Sequence, residues 1–244
     1  MQYSKEKVVE NVEFSKGIYK LVLEGNFDAK PGQFYMLKAW EEGLILPRPI
    51  SVYEVDEKSL SFLYALVGKG TRELSKLKPG DEIQITGALG NGFPLDKIKG
   101  KVAIVAGGIG IAPMNYLVKQ LTNCEADLYA GFRDEDYSLE ELEKYVKEVY
   151  VATESGNKGH KGYITDILKV ENYDLVLCCG PEIMMKKVVD MCNKKNINVY
   201  VSMEKRMACG IGACLVCTCK TKEGNKRSCK EGPVFNGRDL IFND

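Results

Sequence analysis

Five of the nine cysteines in this 244-residue chain, Cys209, Cys214, Cys217, Cys219 and Cys229, fall within 21 positions. An odd total argues against a closed disulfide framework, and clustered thiols in a reducing compartment point to metal first. Four of them follow C-x4-C-x2-C and then, after eleven intervening residues, a last Cys. This is the ligand spacing of plant-type 2Fe-2S clusters. Two irons need four thiolates, so the first three ligands share one tight loop. Within it Gly210, Gly212 and Ala213 let the backbone close in and aim N–H groups at the sulfides, which tunes the potential. Four thiolates also suit a structural zinc ion, but zinc sites usually use two C-x2-C pairs and only one is present, so the spacing favours iron. Cys219 is a spare, for packing or as a replacement ligand. Cys124, Cys178, Cys179 and Cys192 lie on strand or helix patterns and read as small core residues.

A second group of residues could hold phosphate. GGIGIAPM, from Gly107 to Met114, lies where an apolar strand gives way to a helical pattern. Its glycines, Gly107, Gly108 and Gly110 among them, allow a dinucleotide pyrophosphate to approach a helix N-terminus. Arg48-Pro49-Ile50-Ser51 opens a strand, where the arginine can pair a phosphate and the hydroxyl can bond a ring edge; taken alone, Arg48 is a surface arginine. Gly68-Lys69-Gly70-Thr71, leading into a helical turn, is a further phosphate nest. About 20 residues beyond the glycine turn stands Arg133-Asp134-Glu135-Asp136. Its carboxylates would repel a 2′-phosphate and favour NAD, or the run is a solvated loop. His160, in the polar stretch SGNKGHKG, reads as exposed, and nothing is assigned to Trp40.

The elements that must position these residues divide in three. Residues 1–97 read as six short strands, KVVENVEF, IYKLVLEG, QFYMLKAW, PISVYEV, LSFLYALV and DEIQITG, separated by turns such as Lys30-Pro31-Gly32 and Lys78-Pro79-Gly80; this pattern predicts an antiparallel barrel. Residues 98–203 alternate strands (KVAIVAGG, ADLYAGF, EVYVAT, DLVLCCG, NVYVSM) with helices (IAPMNYLVKQL, LEELEKY, PEIMMKKVVDMCNKK), which predicts a parallel α/β sheet. Met184, Met185, Val188, Val189 and Cys192 form the core stripe of the last helix. Periodicity stops after Glu204, and residues 204–244 are too few for a core of their own. The fold class is thus α+β multidomain. Lys+Arg and Asp+Glu both total 34, so charge makes no case for nucleic acid or membrane. The opening MQYSKEKVVENVEF has no signal-peptide core, and the uncharged run from Val102 to Val118 is broken by glycines, Pro113 and Asn115. The expected location is cytoplasmic.

RPIS in a barrel, followed by GKGT, GALGNGF, GGIGIAPM and CGPEIMM, resembles the ferredoxin–NADP reductase superfamily. The tail MEKRMACGIGACLVCTCK is most similar to the electron-transfer (iron–sulfur flavoprotein) subunits of two-component, NAD-dependent class B dihydroorotate dehydrogenases. The resemblance covers nearly the whole chain. It implies an oxidoreductase component of pyrimidine biosynthesis that binds FAD, a 2Fe-2S cluster and NAD. Its partner would be an FMN-containing, dihydroorotate-oxidising subunit in a heterotetramer with two of each. Arg48, Pro49, Ile50 and Ser51 would hold the FAD pyrophosphate and ring edge, with Gly68, Lys69, Gly70 and Thr71 closing over the phosphates. Gly107, Gly108 and Gly110 would take the nicotinamide nucleotide, and Cys179, Gly180, Pro181 and Glu182 would border its pocket. Cys209, Cys214, Cys217 and Cys229 would ligate the cluster. Asn91 and Phe93 lie in a linker near the flavin. No nucleophile–base set is visible, and cofactors of this kind carry the chemistry themselves. The alternatives are a stand-alone reductase feeding another acceptor and a non-catalytic, nucleotide-binding redox sensor.

Overall fold

The structure, a computed structural model, describes residues 2–40 and 42–242. Six strands, β1 (Gln2–Ser15), β2 (Ile18–Glu24), β3 (Phe34–Lys38), β4 (Arg48–Val55), β5 (Ser59–Ala65) and β6 (Glu82–Leu89), close a barrel in the order β1-β2-β5-β4-β3-β6. Every neighbouring pair is antiparallel. Closure depends on β1, which pairs with β6 through Lys7 and with β2 from Val8 onward. Register shifts between Val8 and Glu10 and between Glu13 and Ser15 bend it around the corner. The period-2 pattern puts Leu21 and Leu23, Tyr35 and Leu37, and Ile83 and Ile85 into the barrel core. Helix α1 (Lys69–Leu74) adds Leu74 to that core.

From Gly100 the chain builds a second sheet. Its elements are β7 (Gly100–Gly107), α2 (Ile111–Lys119), β8 (Cys124–Phe132), α3 (Leu139–Leu142), β9 (Glu148–Thr153), β10 (His160–Lys161), β11 (Leu175–Cys179), α4 (Glu182–Lys195) and β12 (Asn198–Ser202). The order β10-β9-β8-β7-β11-β12 is parallel throughout. Strand order therefore reverses between β7 and β11, where open α/β sheets take ligands at the strand carboxyl ends. One face, with Val102, Ile104 and Ala106, packs on α2 and on Tyr53 and Leu63 of the barrel. The other, with Ala103, Val105 and Cys178, packs on Val188, Val189 and Cys192 of α4. The helix expected over LEELEKY is a single turn. The backbone N–H of Lys147 already bonds the Ala126 carbonyl at 2.8 Å, so the chain must turn into β9 before a longer helix can form.

The tail forms the hairpin β13 (Thr218–Thr221) and β14 (Gly224–Arg227), then β15 (Val234–Asn236), which pairs antiparallel with the β12 edge. Three residues carry too little periodicity to announce a strand. Phe235 and Leu240 join the core around α4, whereas Cys217 and Cys229 pack with Phe34, Met36 and Leu89 of the barrel.

Polar contacts fasten the barrel to the sheet. The Tyr53 hydroxyl lies 2.7 Å from Ser138 Oγ and donates to Glu141 Oε2 at 3.1 Å. Asn115 Nδ2 donates to the Tyr53 carbonyl at 3.0 Å, Tyr116 to the Ala29 carbonyl at 3.0 Å, and Lys119 pairs with Glu54 at 2.6 Å. Burial, ahead of the opposing Ser138 bond, raises the Tyr53 phenol far above its ordinary range, so it remains a donor. Tyr53→Phe strands a buried hydroxyl on Ser138 and is expected to cost about 1–3 kcal/mol. Thermal unfolding followed by circular dichroism checks this, and the Tyr53→Phe/Ser138→Ala double variant should recover part of the loss.

Candidate redox site

A cavity of about 630 Å³ opens between the barrel, the glycine-rich turn and the start of the tail, a size that suits a bound cofactor. Arg48, Pro49, Ile50 and Ser51 line it from β4, Leu63, Tyr64 and Ala65 from β5, and Thr71 from α1. Ile109, Ala112 and Pro113 line it from the sheet side, and residues 202–207 close it. Arg48 is held in place: Nη1 donates to the Leu46 carbonyl, and the guanidinium lies 5.2 Å from the Trp40 ring centroid. A Cβ on Gly70 would stand 2.3 Å from Arg48 Nε, so only glycine lets α1 approach the cation this closely. Thr71 Oγ1 accepts the backbone N–H groups of Val67 and Gly68 at 3.0 and 3.2 Å, which fixes the loop carrying Gly68 and the exposed Lys69. A constrained guanidinium beside a largely apolar cavity fits a flavin nucleotide, with the phosphates on the cation and the ring against the apolar wall.

Gly107, Gly108 and Gly110 end β7, and Cys179, Gly180, Pro181 and Glu182 end β11, so the two motifs meet at the switch point. A Cβ on Gly110 would stand 2.4 Å from the Cys179 carbonyl oxygen, and one on Gly180 would stand 2.9 Å from Gly107 Cα. Cys179 is fully buried; burial first, then the charge of Glu204, raises its thiol well above its ordinary value, against a bond from Ser202. Glu204 faces the cavity with its surface open to it, yet protein surrounds it closely enough that desolvation raises its carboxyl. Lys205 Nζ pairs with Glu182 Oε2 at 2.7 Å, joining the tail to the start of α4. Beyond β8, Arg133, Asp134 and Glu135 are exposed, while Asp136 pairs with Lys158 at 2.7 Å.

Among the described residues, no three His, Cys, Asp or Glu side chains converge on one ion position. Of the four motif thiols, Cys209 and Cys214 bound one loop, and Cys217 and Cys229 flank the β13–β14 hairpin. Cys217 Sγ accepts the Cys229 backbone N–H at 3.4 Å, and the Ser228 backbone N–H donates to the Cys217 carbonyl at 2.9 Å. A tetrahedral zinc ion would gather four thiolates at one point; a two-iron cluster takes two on each iron, which this donor set fits. Burial raises the Cys209 thiol, but the N–H groups of Ile211, Cys214 and Ala213 outweigh it and bring the thiol to about 6. Gly210 (φ +70°) and Gly212 (φ +83°) hold the loop in left-handed turns; a Cβ on the first would stand 2.7 Å from Met36 and on the second 2.8 Å from Lys230. Cys219 is buried on the α4 side of the sheet with Met203 and Phe235, its Sγ 4.0 Å from the Cys217 carbonyl oxygen. The linker residue Asn91 holds the other ligand segment, donating through Nδ2 to the carbonyls of Lys230 and Glu231, both at 3.1 Å.

Sequence reasoning did not reach Phe34, Met203, Glu204 and Met207. Phe34 and Met207 both line the cavity and pack with Cys217 and Cys229, so the cavity and the motif thiols share one wall. A polar residue just past the carboxyl end of a buried parallel strand is the one signal that would have flagged Glu204.

A barrel joined to a switch-point sheet, with an appended thiol segment, defines a flavin- and nicotinamide-binding reductase module carrying an iron–sulfur segment. Residues 104–190 match the oxidoreductase NAD-binding domain, and residues 204–241 match the iron–sulfur cluster binding domain of dihydroorotate dehydrogenase B. The electron transfer subunit of dihydroorotate dehydrogenase B (NAD(+)) from Clostridium acetobutylicum is 63% identical over 100% of this chain and 99% of its own length. The subunit of the same description from Caldanaerobacter subterraneus is 38% identical over 98% of both. The chain belongs to this family of electron transfer subunits. Among solved structures, that of an NADH-dependent reduced ferredoxin-NADP oxidoreductase superposes with a TM-score of 0.86 at 27% identity, over 97% of this chain and 89% of the other. A ferredoxin NADP+ reductase from Neisseria gonorrhoeae, with a TM-score of 0.67 at 15% identity over 84% and 95%, shares the fold.

Cys219→Ser is expected to keep full iron and acid-labile sulfide per chain, whereas Cys217→Ser loses most of both; chemical assay of the purified variants reads the difference.

Proposed function

We propose that this chain carries electrons between a dihydroorotate-oxidising partner subunit and NAD⁺ in pyrimidine biosynthesis. The observation that carries the reading is the wall of Phe34 and Met207, shared by the cavity and the thiol pairs. When bound, FAD exchanges two electrons with nicotinamide and single electrons with a 2Fe-2S cluster, which is the conversion such a path requires.

Residues 1–97 are read as the FAD-binding unit, 98–203 as the NAD-binding unit and 204–244 as the cluster segment. Arg48 and the loop ordered by Thr71 hold the flavin nucleotide, and Pro49, Ile50 and Ser51 face its ring. Gly107, Gly108 and Gly110 leave room for the NAD pyrophosphate at the start of α2. Asp134 and Glu135 stand exposed at the carboxyl end of β8, where carboxylates accept ribose hydroxyls and repel a 2′-phosphate. Cys209 with Cys214, and Cys217 with Cys229, supply the two ends of the cluster. Among the described residues no helix is long and apolar enough to cross a membrane.

The partner is an FMN-bearing subunit, and the face offered to it surrounds Cys214. There Ile211, Leu215 and Val216 are 45%, 62% and 56% exposed, an apolar group beside an exposed ligand thiol that suits a protein interface. Leu215→Glu is expected to lower affinity for the partner by about tenfold or more, some 1.4 kcal/mol, with flavin and iron content unchanged. Native mass measurement of the co-purified complex reads both the loss and the expected two-plus-two composition.

The experiment that tests the electron path is low-temperature EPR of the anaerobically NADH-reduced protein with its flavin spectrum recorded. The expected result is a rhombic signal, averaging below the free-electron g value, that appears as the flavin bleaches. Zinc in place of iron would overturn the reading.

A further inference from the structure

A cation is built into the thiol segment for which no role has been assigned. Arg227 ends β14, two residues before Cys229, and reaches back across the segment to the C-x4-C loop. Its Nη1 donates to the Gly212 carbonyl at 2.8 Å, in the middle of that loop. The rest of the guanidinium is held by Glu231: Nε donates to Oε2 at 3.0 Å, and Nη2 pairs with Oε1. Glu231 Oε2 also accepts the backbone N–H of Arg227 at 2.7 Å. The backbone N–H groups of Lys230, Glu231 and Gly232 converge on the Arg227 carbonyl at 3.1, 2.9 and 3.2 Å. Next along the chain, the Ser228 backbone N–H donates to the Cys217 carbonyl at 2.9 Å. The two side chains are 28% and 31% exposed, so water screens this pair less than it does a surface ion pair.

Resting on the reading that the thiols hold a 2Fe-2S cluster, we infer that Arg227 is its positioning residue and Glu231 the counter-charge that sets its reduction potential. The guanidinium ties the loop of Cys209 and Cys214 to the segment of Cys217 and Cys229, so it keeps the two thiol pairs at a fixed separation. Its planar fork pairs through Nε and Nη2 with Glu231 while Nη1 reaches Gly212, a geometry that a single ammonium nitrogen does not reproduce. A fixed positive charge beside the thiolates favours the reduced, more negative cluster, and Glu231 offsets part of that effect.

The test uses the full chain co-produced with its partner subunit, with cluster potential read by EPR-monitored redox titration and cluster hold read by iron release to a chelator. Glu231→Gln keeps a neutral acceptor for the guanidinium and is expected to shift the electron's partition toward the reduced cluster by about threefold to tenfold, tenfold being about 59 mV for one electron. Arg227→Gln is expected to shift it the opposite way by a similar factor. Arg227→Lys retains the charge, so the partition stays near wild type while iron release accelerates several-fold. If Arg227→Gln fails to retain a cluster, Glu231→Gln alone decides: a raised potential supports the inference and a wild-type potential overturns it. Wild-type potential and wild-type iron release across all three variants would also overturn it. Loss of the EPR signal in the wild-type protein itself would instead strike at the cluster reading beneath.

Discussion

The last forty residues cannot bury enough apolar surface to fold alone, and the rest of the arrangement follows from where they borrow it. Phe235 and Leu240 go into the core under α4, β15 completes the sheet edge beside β12, and Cys217 and Cys229 lie against Phe34, Met36 and Leu89 of the barrel. Ser228 Oγ donates to the Met203 carbonyl at 2.8 Å, and the Met203 backbone N–H to the Pro233 carbonyl at 2.8 Å. Met203 and Pro233 both line the cavity. The tail therefore reaches its thiol pairs by way of the cavity wall, and the nearness of the two sites is a by-product of folding a segment without a core.

The same economy governs how the barrel meets the sheet. Strand β4 presents Arg48–Ser51 to the cavity at its start and, a few residues on, sends Tyr53 and Glu54 to Ser138, Asn115 and Lys119 of the neighbouring unit. Helix α2 begins at the glycine-rich turn and ends at the Lys119–Glu54 pair, so one helix joins that turn to a fastening on β4. Lys119 is only 15% exposed, so breaking that pair would leave a charge poorly solvated. Ser138 adopts φ +64° directly after Tyr137, in a left-handed turn that non-glycine residues take up only where surrounding contacts hold them. The Tyr53 hydroxyl, 2.7 Å from Ser138 Oγ, is one of the contacts at that turn.

How much of this was legible in the sequence depended on how local each signal was. The thiol set, the glycine turns and the alternation of strand and helix are written within a few residues, and in the structure Cys209 and Cys214 bound one loop while Cys217 and Cys229 flank the β13–β14 hairpin. Cys219 was ambiguous because spacing counts residues along a chain, whereas which core a thiol enters is decided by how the hairpin docks. β15 was invisible for the same reason: Val234–Asn236 become a strand only because β12 leaves an edge open. The Asn91 side chain donates to the carbonyls of Lys230 and Glu231, 139 and 140 residues away, and no local signal announces so distant a contact.

Glu204 shows the remaining gap most clearly. In sequence it is one charged residue in MEKRM, with nothing to separate it from Lys205 or Arg206. In space it follows the buried end of β12 and lines the cavity, close enough to Cys179 for its charge to raise that thiol, while desolvation raises its own carboxyl. Lys205, its neighbour, turns instead to Glu182 and ties the segment to α4. Both residues line the cavity, but Lys205 is tied back to α4. Only the parallel pairing of β12 with β11, which sets the direction in which the chain leaves the sheet, decides which is which.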